Sequence, residues 1–153
     1  MATEHESMMG IIELYKLRSE PTMRKARDWF ITSFQPGSTQ DILDVLFGEH
    51  SGEFRMVASY WDMAAAFVEL GAIDGEMFNA INTEHVGVYA KLEPFLPTLR
   101  EEMGNPNFLA HLEKVVKECP DYETKIANIR TRMAKLIELY QQRAAAQAAA
   151  AGN

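Results

Sequence analysis

The chain has 153 residues, an apolar fraction of 47% and a net charge of -7, enough for one domain that holds its core without metal or disulfide. Its single cysteine, Cys119, excludes an intramolecular disulfide and suits a reducing cytoplasm. Nucleic-acid binding is not expected: between residues 28 and 90 Arg55 is the only Lys or Arg against ten Asp and Glu, whereas that function needs a continuous cationic surface.

The N-terminal MATEHESMMG lacks a basic n-region, so no secretory signal is expected. Met8, Ile11, Ile12, Tyr15 and Leu17 fall near helical spacing over residues 7–18. Pro21 opens a second helix, about 21–34, with Met23, Ala26, Phe30 and Phe34 on one side. The cluster Lys16, Arg18, Arg24, Lys25 and Arg27 reads as a solvated basic face. QPGS at 35–38 is a break. Ser38 and Asp41 then form a capping-box pattern before a short helix, about 39–47.

Ser51 is the expected cap of the next helix, residues 53–70, which takes in nearly all of FRMVASYWDMAAAFVELG (54–71), with Gly71 just past its end. Arg55, Ser59, Asp62, Ala66 and Glu69 step by four and three along one narrow arc of it; the rest of its circumference is apolar. Such a helix sits near the centre of a domain. Three charges within the segment argue against a membrane span. Asp74 caps a helix near 75–81. Thr83 starts another that must kink or restart at Pro94 and Pro97. GNP at 104–106 predicts a stop, a cap and a new helix over 106–118, ended by Pro120. The last helix carries Tyr122, Ile126, Ile129, Met133, Leu136 and Tyr140 as an a/d seam. Its alanine-rich end, 144–153, offers little to pack and is expected to fray or be partly disordered. No strand pattern stands out, and residues 1–143 read as one domain.

Chemistry is sparse. No histidine has an acid three positions before it, as helical di-iron sites require, and there is no H-E-x-x-H zinc pair. GAIDGEMF at 71–78 fails as a calcium loop, because its early ligand positions would be Ala66, Val68 and Leu70. Phosphate-loop and nucleophile-elbow motifs do not occur. Cys119 and His111 lie eight residues apart on one helix, about 12 Å of rise, too far for a nucleophile–base pair. No metal or cofactor is therefore expected.

Three segments, MRKARDWF at 23–30, MAAAFVELGAIDGEMFNAI at 63–81 and YAKLEPFLPTLREEMGNPNFLAHLEK at 89–114, carry a further signal. Together they resemble a family of small, helical, functionally uncharacterised bacterial proteins. Arg24 and Arg27, the turn Gly71-Ala72-Ile73-Asp74, and Arg100, Gly104 and Phe108 match its pattern. The resemblance implies an all-helical bacterial protein and no reaction type.

The expectation is thus an all-α, single-domain bundle of about six to eight helices with a long C-terminal helix. The first functional expectation is a non-enzymatic cytoplasmic protein acting by protein–protein contact, as a homodimer, through Tyr122, Ile126, Ile129, Met133, Leu136 and Tyr140. The alternative is a small-molecule binder or enzyme. Its pocket would lie beside the polar edge of helix 53–70, using Arg55, Asp62, Trp61, His85 and His111.

Overall fold

The structure is a computed structural model that describes residues 1–152. In chain order the helices are α1 (Glu4–Ser19), α2 (Pro21–Thr32), α3 (Thr39–Leu46), α4 (Ser51–Glu69), α5 (Gly75–Ile81) and α6 (Glu84–Leu92). A 3-10 turn (Glu93–Phe95) leads into α7 (Leu96–Glu102), followed by α8 (Ala110–Lys117) and α9 (Tyr122–Ala151). The described residues contain no strand. With α6 and α7 counted as one rod broken at Pro94, the bundle has eight members, the last of them long.

Local chemistry sets most boundaries. Thr3 and Glu6 close a capping box that starts α1 three residues earlier than the apolar spacing indicates. Ser38 and Asp41 close the same motif on α3. Gly71 adopts φ 75° past the end of α4, where a side chain would be strained, and Asp74 accepts from the Met77 amide to cap α5. Two expectations need correction. Ser51 does not cap α4: it is the first helical residue, after His50, whose side chain makes no capping bond. The helix expected at 106 begins only at Ala110, because residues 104–109 form turns and Leu109 takes a left-handed φ of 56°.

α4 is the hub. It packs against α2 and α8 most extensively and also meets α3, α5 and α6. Phe54, Val57, Ala58, Trp61, Ala64 and Ala65 are all at most 2% exposed. Phe30, Phe34 and Phe54 pack in tilted and edge-on contacts where α2 crosses it, with ring centroids 5.1–6.1 Å apart. Its solvent edge is wider than the polar stripe, however. Met56, Met63, Phe67 and Leu70 also face water, at 37–78% exposure.

α1 packs on α2 and α5 and reaches α4 through the Tyr60 hydroxyl, which donates to the Leu14 carbonyl at 2.6 Å. Arg27, read from sequence as part of a solvated basic face, instead binds Glu84 through its Nε at 2.9 Å. Its Nη1 donates to the Arg18 carbonyl. That fork ties the α1–α2 corner to the start of α6.

Candidate functional site

Two of the residues singled out in sequence meet in the core. Trp61 is 1% exposed and His85 0%, with ring centroids 5.8 Å apart, and Phe78 lies 4.9 Å from the imidazole. Asn79 Nδ2 donates to the Gly75 carbonyl, so its Oδ1 is free to accept. His85 Nε2, 3.0 Å from that oxygen, therefore carries the proton and Nδ1 the lone pair. Burial pushes the His85 pKa down to about 4, with the Lys125 charge acting the same way. Trp61 Nε1 and His85 Nδ1 have no protein hydrogen-bond partner. The pair is enclosed by packed side chains.

The polar edge of α4 divides in two. Arg55 is exposed and donates only to Ser51, one turn back. Asp62 faces α8, where its Oδ1 accepts the Leu112 amide at 2.9 Å. Leu109, at the start of α8, has no capping oxygen of its own, so Asp62 supplies one from another helix. Glu69 takes His111 Nδ1 at 2.6 Å and Lys114 Nζ at 2.7 Å, and these bonds hold its carboxyl below the usual range. Asp62, Glu69 and His111 thus fasten α4 to α8. Arg55 stands apart, and the five candidates do not converge on one cavity. Among the described residues no three His, Cys, Asp or Glu side chains gather in a metal-binding cluster.

The seam of α9 also divides. Tyr122, Ile126, Ile129 and Met133 lie against the body, with Ile126 5% exposed. α6 is the main neighbour of α9, and Arg130 donates to the Ala90 carbonyl at 3.0 Å. Further out, Leu136, Leu139 and Tyr140 are 39%, 44% and 53% exposed. The helix continues through the alanines to Ala151.

Where α2, α6 and α9 meet, a cleft of about 240 Å³ opens, walled by Ile31, Val88, Ile129, Met133 and Leu136. Lys91 and Arg132 also line it, with Glu84, whose carboxylate is held by Arg27. Lys91 is mostly buried. Its ammonium donates to the carbonyls of Phe30 (2.6 Å) and Phe34 (2.8 Å) at the end of α2 and sits over the rings of both residues. With no carboxylate paired to it, burial lowers its pKa to about 8. Sequence reasoning passed over Lys91 and Gly87. The available signal was a lone lysine among Val86, Val88, Tyr89, Ala90 and Leu92, on a helix too apolar to leave it in water.

These features define an all-helical domain with polar fasteners between its helices, an apolar-walled cleft and a half-exposed C-terminal helix. The chain matches the family model described as "Domain of unknown function (DUF4760)" over residues 5–119 and belongs to that family. The match ends before α9. No curated protein and no solved structure matches the chain. No helix is long and apolar enough to cross a membrane among the described residues.

Proposed function

We propose that this protein is non-enzymatic and works in the cytoplasm by self-association, two copies pairing through the outer half of α9. The observation that supports the reading is the exposure of Leu136, Leu139 and Tyr140 on a helix that extends about 22 Å beyond Leu136. Exposed apolar groups in a row mark contact surfaces. The face they continue is the one that already packs on α6 further back, so the seam is suited to helix packing along its length.

A second copy fits this surface in an antiparallel, isologous arrangement centred near Ile137. Glu138 of each copy then lies beside Lys135 of the other. Neither residue makes an ion pair within one chain among the described residues.

Sedimentation analysis from micromolar to millimolar protein tests the reading. A monomer–dimer equilibrium is expected. Leu136→Glu with Tyr140→Glu shifts it to monomer at unchanged helix content. Lys135→Glu weakens the dimer a few-fold, and adding Glu138→Lys restores it, consistent with one modest ion pair at each symmetry-related position. A wild-type chain that sediments as monomer throughout overturns the proposal.

A further inference from the structure

We propose that the cleft between α2, α6 and α9 is a binding site for a small amphipathic anion, a carboxylate on a short alkyl chain. Of its apolar walls only Leu136 is shared with the proposed pairing surface; the others lie within one chain.

Three observations carry the proposal. The first is the lining. Ile31, Val88, Ile129, Met133 and Leu136 supply apolar walls, and the volume of about 240 Å³ falls just below that of drug-sized pockets, which sets a small occupant. The second is charge. Glu84 is neutralised by Arg27, leaving Lys91 and Arg132 as the uncompensated charges on the lining. Arg132 is exposed and forms no hydrogen bond or ion pair among the described residues. Lys91 has three donors and spends two on carbonyls. An apolar cleft with two unneutralised cations complements an anion with an apolar tail, and it repels a cation of the same shape.

The third observation is Gly87. It lies inside α6, where glycine costs about 1 kcal/mol relative to alanine. Close packing does not require it: a Cβ there would meet Ile129 and Met133 at 3.8 Å, ordinary contact distance. What the missing side chain does provide is room in the cleft, which Gly87 lines.

The test is an NMR titration of the full ¹⁵N-labelled chain with octanoate, and in parallel with octanol and octylamine, each below micelle formation. Octanoate is expected to shift the amides of Gly87, Val88, Ile129 and Met133 saturably, with a dissociation constant near millimolar, as a ligand of so few atoms allows. Octanol should bind about tenfold more weakly and octylamine not detectably. Gly87→Leu fills the cleft and should abolish the shifts. Arg132→Ala changes an exposed side chain, so folding is not at issue, and should bring octanoate close to octanol. Absent or scattered shifts overturn the proposal, as do equal binding of octanol and octanoate, or octanoate binding unchanged in both variants. Should these amides shift with protein concentration alone and ignore octanoate, a second copy fills the cleft and the ligand reading fails.

Discussion

His85 is neutral at pH 7 because no charge is tolerated between Trp61 and Phe78, and the consequence is a pH dependence of stability. Its pKa is about 4 in the fold and near 6.5 in the unfolded chain. Between those values the unfolded chain binds more protons, so stability rises with pH across the window and is lost on acidification from about pH 6.5 to pH 4. The full effect is on the order of 3 kcal/mol. Urea unfolding of wild type and His85→Gln at pH 7, 5.5 and 4 isolates this contribution from the carboxylates both chains share. The gap between them should narrow or reverse toward pH 4. Parallel pH profiles would show that the imidazole is not held neutral by the fold. At the same scale, Asp62 and Arg55 sit on one stripe in the sequence yet differ in work done. Asp62→Ala removes the cap that α8 receives from α4 and should cost about 1 kcal/mol, whereas Arg55→Ala should change stability by less than about 0.5 kcal/mol. Equal effects in denaturant melts would mean that the Asp62–Leu112 bond contributes nothing.

Whether an element was legible in the sequence depended on how far away its determinants lie. The starts of α3 and α5 and the stop at Gly71 are written within four residues of the boundary, and each was readable. The start of α8 was not, because its capping oxygen comes from Asp62, fifty positions earlier. The roles of Arg27 and Lys91 were hidden for the same reason, since their partners Glu84, Phe30 and Phe34 are 57–61 residues away. Periodicity marked α4 as central and α9 as carrying a seam. It could not say which arc of either helix would be covered, because that depends on neighbouring helices. Hence Met56, Met63 and Phe67, on the apolar circumference that placed α4 at the centre, stand partly in water, and the cleft at Gly87 has no signature in the spacing. α6 supplies the test at this scale. Gly87→Ala adds a methyl at ordinary contact distance on a helix interior, so it should stabilise the chain by about 0.5–1 kcal/mol in urea. A loss of stability would mean that Gly87 is required for packing, and would remove one support of the ligand site.

At the scale of the whole molecule, charge and architecture divide at the same place. Residues 1–121 hold ten Lys and Arg against twenty Asp and Glu, while the remainder holds five against two. α9 is therefore a cationic helix laid along an acidic body, and the family match stops just before it. Its inner half is nonetheless part of the fold. Ile126 is buried, Tyr122 and Ile129 pack on the core, and Arg130 binds Ala90 and Glu93. Burying Ile126 alone accounts for roughly 1.5–3 kcal/mol, and the three together approach a substantial share of a typical stability of about 5–15 kcal/mol. The alanines beyond Arg143 are exposed throughout and touch little. The two halves should thus separate cleanly under truncation. A chain ending at Arg143 should melt within about 2 °C of the full chain, since an exposed alanine tail contributes well under 1 kcal/mol. Its amides beyond 143 in the full chain should also exchange fastest, as expected of a helix end held by propensity alone. A chain ending at Asp121 should lose most of its cooperative transition, because the α6 face that Ile126, Ile129 and Met133 cover would be opened to water. If that shorter chain melted like the full one, residues 1–121 would be a complete domain, and the inner seam of α9 would be a docked appendage rather than a wall of the core.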